Sequence, residues 1–126
     1  MNILIDNKTL YESTKALNTE FGENYSKYLP VRVNFIIQSN LTTLLEKSRA
    51  IEKVRDSIGA KYGEFVAESN VFQICPENRK QAQKELDDLM EIEQKVDIKM
   101  IKLSDLESLE MTTSQMRALL FMIEEE

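Results

Sequence analysis

Histidine and tryptophan are absent from this 126-residue chain, cysteine occurs once, proline twice and glycine three times. Without histidine there can be no Ser-His-Asp or Cys-His catalytic arrangement and no imidazole ligand for a metal. The lone Cys75 rules out an intrachain disulfide and a thiolate zinc site, and points to a reducing compartment. Gly22, Gly59 and Gly63 are too scattered for a phosphate-cradling loop, and neither G-x-G-x-x-G nor G-x-x-x-x-G-K-S/T occurs. The longest uninterrupted apolar run, Ala118–Ile123, is far shorter than the ~20 residues that cross a bilayer. Met1–Asp6 lacks the basic start and apolar run of a signal peptide. The expectation is a soluble, cytosolic protein, in which the triplets Asn24-Tyr25-Ser26 and Asn40-Leu41-Thr42 resemble glycosylation sites by chance.

What the chain does have is charge. Charged residues make up 30% of it, and the net charge is −6. Residues 85–94 carry five acidic side chains and no basic one, and residues 104–126 carry six against Arg117 alone. Those stretches sum to −5 each, so the remainder is +4. Neutralising phosphates needs clustered Lys and Arg, so direct nucleic-acid binding is not expected. The converse, an acidic surface that imitates nucleic acid, stays open.

Helical periodicity is the strongest positive signal. Ile37, Leu41, Leu44, Ile51, Ile58 and Tyr62 follow steps of four and three, interrupted at Ser48 and Arg55; Ala82, Leu86, Leu89 and Val96 repeat the rhythm, interrupted at Glu93. Such steps place side chains on one helix face. A long helix over 31–62 and a second from Pro76 to about Gln94 are predicted to zip into an antiparallel hairpin, with the basic stretch of one facing the acidic stretch of the other. Phe65-Val66-Ala67 and Val71–Ile74, flanking Glu68-Ser69-Asn70, read as a β-hairpin at the tip. Before this unit, residues 2–5 suggest a short strand, and Leu10, Tyr11, Thr14, Leu17 and Phe21 share the face of a helix that Asn7 or Thr9 could cap. Gly22 would stop that helix at a positive φ, and a polar and aromatic connector would occupy 23–30. After the hairpin, 96–103 alternates like a half-buried strand, with Ile3–Ile5 as its natural partner. Ser104-Asp-Leu-Glu107 and Thr112-Thr-Ser-Gln115 have the form of capping boxes, each opening a short helix, the last over 113–124. The reading is a single domain, 1–126, mainly α (α+β): a helical hairpin with a β tip, a short sheet joining the N-terminus to 96–103, and short C-terminal helices.

Few residues offer chemistry. Glu85, Asp87, Asp88 and Glu91 could share a weak Mg²⁺ or Ca²⁺ site, but oxygen-ligand sites need donors converging from several segments; the acidic stretch reads as a solvated face. Cys75, between Ile74 and Pro76, reads as a small buried apolar residue. No metal, cofactor or catalytic residue is expected. The candidates are contact residues: Phe65, Val66 and Phe72 at the tip, and Met116, Leu120 and Phe121 in a C-terminal segment too apolar to be covered on all sides by a small core.

The run Tyr62-Gly63-Glu64, Ile74-Cys75-Pro76-Glu77-Asn78 and Lys84–Met90, continuing through Val96–Leu106, Met111-Thr112 and Leu119–Glu124, resembles small proteins of tailed bacteriophages and prophages over roughly residues 40–126. The resemblance implies a viral origin and the cytoplasm of a bacterial host, with virion association as the alternative; it transfers no functional residues. The helix–hairpin–helix order also resembles prefoldin subunits in outline, with a far shorter second helix. The function expected is a non-enzymatic interaction or assembly protein that binds another protein or a second copy of itself, with a nucleic-acid-mimicking inhibitor as the alternative.

Overall fold

A computed structural model describes residues 1–22 and 29–124. Most of the connector expected over 23–30 lies outside the described residues. Strand β1 (Asn2–Asp6) leads into helix α1 (Asn7–Phe21). Helix α2 (Val31–Tyr62), strands β2 (Gly63–Val66) and β3 (Val71–Ile74) and helix α3 (Arg79–Glu91) form the hairpin unit. Strands β4 (Glu93–Asp97) and β5 (Ile101–Lys102), helix α4 (Thr113–Leu119) and strand β6 (Ile123–Glu124) complete the chain. The mainly α class with small sheets is as the periodicity predicts.

Helix α2 is the spine. Its 32 residues span about 48 Å at 1.5 Å per residue, whereas α3 has 13 and covers only part of that length. The other helices complete the packing, α1 and α3 against α2 and α4 against α1. Val33, Ile37, Leu41, Leu44 and Ile51 of α2 are buried with Leu10, Leu17 and Phe21 of α1 and with Leu89 of α3. Pro30 precedes the first turn, where its missing amide costs nothing, and accepts from Asn34 N–H at 2.9 Å. The interruption at Ser48 is a real gap in the apolar stripe. That residue is 4% exposed, and its hydroxyl has no hydrogen-bond partner among the described residues. A buried hydroxyl without a partner is destabilising, so Ser48→Ala is expected to raise stability by about 1 kcal/mol in urea unfolding, and a loss of that size would contradict this account.

Local signals explain most boundaries, with corrections. Helix α1 is capped by Asp6, not by Asn7 or Thr9: the Asp6 carboxylate accepts from Thr9 N–H at 2.7 Å. The Thr9 side chain and amide together hold that carboxyl below its usual range. Asn7 instead is buried and ties helix ends together, its Nδ2 donating to Leu89 O at 2.9 Å while its backbone N–H donates to Ile92 O at 2.9 Å. Gly22 does not take a positive φ; it sits at φ −68, and an added Cβ would lie 2.5 Å from Asn18 O. Close approach, not left-handed backbone, is what requires glycine there. The expected hairpin forms at the tip, but its first strand is Gly63–Val66 rather than Phe65–Ala67; Ala67 joins Glu68-Ser69-Asn70 in the turn, with Asn70 at φ 55, a left-handed conformation that asparagine tolerates. Helix α3 opens through a 3-10 turn at Pro76–Asn78 and ends at Glu91, short of Gln94, because Glu93–Asp97 pairs with β1.

The strand expected over 96–103 is divided. β4 pairs antiparallel with β1, Ile3 opposite Val96 and Asn2 opposite Asp97, so the partner is the one expected but the strand begins earlier and stops at Asp97. The backbone of Lys99 then turns to α2: Asn40 Nδ2 donates to Lys99 O at 2.8 Å, and Asn40 Oδ1 accepts from Lys99 N–H at 2.8 Å. Asn40 is 1% exposed, and both its amide groups are engaged. From Ile101 the chain pairs again, β5 running parallel to β6.

The C-terminal segment departs most from expectation. The Ser104 sequence opens only a 3-10 turn, Leu103–Asp105, followed by turns. The Thr112 capping box is complete, Thr112 Oγ1 accepting from Gln115 N–H at 3.1 Å and Gln115 Oε1 from Thr112 N–H at 2.9 Å. The helix it opens ends at Leu119 rather than Glu124, passing through a 3-10 turn into β6. A helix carried to Glu124 would leave β5 unpaired; turning at Leu120–Met122 buries Met122 beside Asn40 and lets Ile123 pair with Ile101. Among the described residues no helix is long and apolar enough to cross a membrane.

Candidate protein-binding groove

Where α3 runs back along α2 beneath the β tip, the three elements enclose a groove of about 1460 Å³. Its apolar lining comes from Ile58 and Gly59 of α2, Phe72 and Ile74 of β3, and Ala82 and Leu86 of α3. Gly59 is there because Phe72 occupies the space its side chain would need: an added Cβ would lie 2.6–2.8 Å from Phe72 Cγ, Cβ and Cδ2. Phe65, opposite Phe72 in the β2–β3 register, meets it edge-on, ring centroids 5.3 Å apart at 63°. Phe65 and Val71 are 53% and 55% exposed, so the rim at the tip is apolar as well.

Charge is unevenly placed along this groove. Arg79, Lys80 and Lys84 line the part of α3 near the tip; Asp87 and Asp88 line the part beyond, with Arg55 and Asp56 across on α2. Arg55 is held from behind, its Nη1 donating to Tyr11 Oη at 2.9 Å with the guanidinium 5.7 Å from the ring centroid. Asp87 accepts from Gln83 Nε2 at 2.8 Å. Between α2 and α3 the described residues contain one ion pair, Lys61–Glu85 at 3.1 Å, on exposed side chains. Tyr62 and Lys61 hold the Glu85 carboxyl below its usual range, and Tyr62 and Glu85 raise that of Lys61. The expected zipper of acidic against basic stretches is thus a single contact, of the exposed kind that contributes little.

Of the six contact residues expected from sequence, Phe65 and Phe72 come together in the groove. Val66 pairs with Val71 and is half-buried, but does not line the groove. Met116, Leu120 and Phe121 belong to the α4 segment, away from the groove lining. Leu120 is 62% exposed, whereas Met116 and Phe121 are half-buried. A smaller hollow of about 440 Å³ lies between α1 and α4, lined by Lys15, Glu20 and Arg117 among others. Sequence reasoning missed the α3 wall. Its signal was the change of sign within one helix, from Arg79-Lys80 and Lys84 to Asp87-Asp88, which net charge over longer windows conceals.

The remaining candidates take ordinary places. Cys75 is half-buried rather than buried, its backbone N–H donating to Tyr62 O at 3.1 Å. Asn40 is buried and both its amide atoms are occupied, which leaves the Asn40-Leu41-Thr42 triplet no accessible acceptor. Among the described residues no group of three or more acidic or sulfur-bearing side chains is arranged to hold a metal ion. The arrangement offers shape, apolar area and fixed charge, which are the components of recognition. Compared with protein-family models, curated proteins and solved structures, the chain matches none.

Proposed function

We propose that this chain is a non-enzymatic protein-interaction or assembly protein that docks its partner on the α2–tip–α3 face. The observation that carries the reading is the groove itself: an apolar lining continuous with the exposed Phe65 and Val71, bordered by charges of both signs. Exposed apolar surface of this kind, rimmed by polar groups, marks interaction sites. The resemblance to small phage proteins supports a viral origin and action in the cytoplasm of an infected bacterium. A nucleic-acid-mimicking surface is the weaker alternative, because Arg79, Lys80 and Lys84 stand beside Asp87 and Asp88 and interrupt the negative field.

The test is affinity capture from infected or source-cell lysate with the wild type and with Phe65→Asp/Val71→Asp. Both side chains are more than half exposed, so the double variant should remain folded, at a cost of about 1–2 kcal/mol for the lost Phe65–Phe72 contact and for aspartate in a strand. It is expected to lose any protein that the wild type retains in stoichiometric amount. Undiminished capture by a folded variant would remove the tip from the interface.

A further inference from the structure

We infer that this chain pairs with a second copy of itself through the free edge of β1, the two strands running antiparallel about a two-fold axis at Leu4. This surface shares no residue with the lining of the α2–tip–α3 groove, so it goes beyond the interaction reading above. The bonding of β1 to β4 identifies the edge. Met1 N donates to Ile98 O at 3.0 Å and Ile98 N–H to Met1 O at 2.9 Å, and at the other end of the strand Asn7 N–H donates to Ile92 O at 2.9 Å. Bonding alternates along an antiparallel ladder. Ile3 and Ile5 are therefore bound to β4 like Met1 and Asn7, whereas Asn2, Leu4 and Asp6 turn their backbone groups away from it. Among the described residues no strand takes up that side of β1.

Side chains choose the occupant. Asn2-Ile3-Leu4-Ile5-Asp6 reads nearly the same in both directions. An antiparallel copy centred on Leu4 thus sets Leu4 against Leu4, Ile3 against Ile5, and Asn2 against Asp6, an amide beside a carboxylate. A two-fold interface requires such self-complementarity. Leu4, at the axis, is 64% exposed, and Ile3 and Ile5 are half-buried, so pairing covers apolar area while it bonds the backbone. The carbonyl of Asp6 is turned into α1, which that residue caps. The new ladder therefore joins Leu4 to Leu4 reciprocally and Asp6 N–H to Asn2 O, each bond occurring twice. The outer edge of β4 is the contrast. Its outward residues Glu93, Lys95 and Asp97 are all charged and exposed; the same operation there would oppose Lys95 to Lys95 and Glu93 to Asp97, which protects that edge from self-pairing. One short strand makes a small interface, so the association belongs in the micromolar range.

The experiment is sedimentation velocity over a range of concentrations on the full chain, with amide exchange read residue by residue. Wild type is expected to dimerise, and the Leu4 and Asp6 amides to become protected as concentration rises, while Ile3 and Ile5 are protected throughout. Leu4→Glu faces Lys95 within its own chain and keeps the fold, but it opposes glutamate to glutamate across the axis and should weaken association by about tenfold or more. Mixing it with Leu4→Lys should restore a dimer containing one of each. A wild type that stays monomeric overturns the β1 pairing, as does a dimer in which Leu4 and Asp6 exchange as freely as in the monomer. Folded variants that each dimerise as tightly as wild type overturn it too. A monomer whose Leu4 and Asp6 amides are protected only by a captured protein assigns the edge to a foreign strand and overturns the self-pairing. Each of these outcomes leaves capture through Phe65 and Val71, and with it the groove reading, to be judged separately.

Discussion

Replacing Asn40 by leucine is expected to lower the unfolding free energy by about 3 kcal/mol, a large part of the 5–15 kcal/mol typical of a domain. Leucine keeps the branched outline but is larger, and its methyls cannot approach Lys99 to 2.8 Å, so the loss combines unpaired polar groups with overpacking. Asn40 supplies Lys99 with both a donor and an acceptor, at 2.8 Å each, in effect acting as one residue of a missing strand. Leucine would leave the Lys99 N–H and C=O facing an apolar wall, and unpaired buried peptide groups cost about 1–3 kcal/mol apiece. Urea denaturation measures the effect directly. Lys99→Ala is the control: only the Lys99 backbone takes part and its side chain is exposed, so that variant should stay within about 0.5 kcal/mol of wild type. A loss under about 1 kcal/mol for Asn40→Leu would mean that water replaces the amide and that the clamp is not structural.

The second large effect is expected at Gly63. Its φ of −150 is extended backbone open to any residue, so the penalty for alanine is steric. An added Cβ would collide with Gln73 O and lie 2.8 Å from Gln73 C and 2.9 Å from Ile74 Cα. Backbone cannot rotate aside as a side chain can. Gly63→Ala should therefore cost about 2–3 kcal/mol, in the upper range for overpacking, or push the tip away from α2. Gly59→Ala should cost less, because the atoms in its way belong to the Phe72 side chain rather than to backbone. Thermal unfolding ranks the two variants, and amide exchange at Val66 and Val71 reports whether the tip has separated. Equal stability of Gly63→Ala and wild type would show that the contact relaxes freely. If the tip is displaced, partner capture should fall together with exchange protection.

Much of the hairpin unit was legible because its signals are local. The steps from Ile37 to Tyr62 predicted α2, and two β-rich runs around Glu68-Ser69-Asn70 predicted the tip. Thr112 and Gln115 made the capping box that their spacing implied. What could not be read depended on partners distant in sequence. Val96, Ile98 and Ile101 are buried, the alternation breaking after Ile98, and the backbone of this segment pairs first with β1, then with the Asn40 side chain, then with β6. Periodicity records which side chains are buried and carries nothing about which group satisfies each amide. The α4 segment failed for a related reason: helical propensity through Met122 was overridden by an open strand edge at Ile101. The groove was half legible, since Phe65 and Phe72 announce themselves by composition whereas Arg79, Lys80 and Lys84 acquire meaning only once α3 is laid beside α2.

The β1–β4 ladder also sets an order of events during synthesis. Asn2 pairs with Asp97 and Asp6 with Glu93, so β1 leaves the ribosome long before its partner exists. At ordinary translation speeds the wait is on the order of ten seconds. Throughout it Ile3, Leu4 and Ile5 present an apolar strand with both edges unsatisfied, a template for pairing with neighbouring nascent chains. The α2–tip–α3 unit needs only adjacent sequence and can form meanwhile. This strand is made well before its partner and is among the last parts to be secured, so crowding on a polysome is where its assembly is most exposed to error.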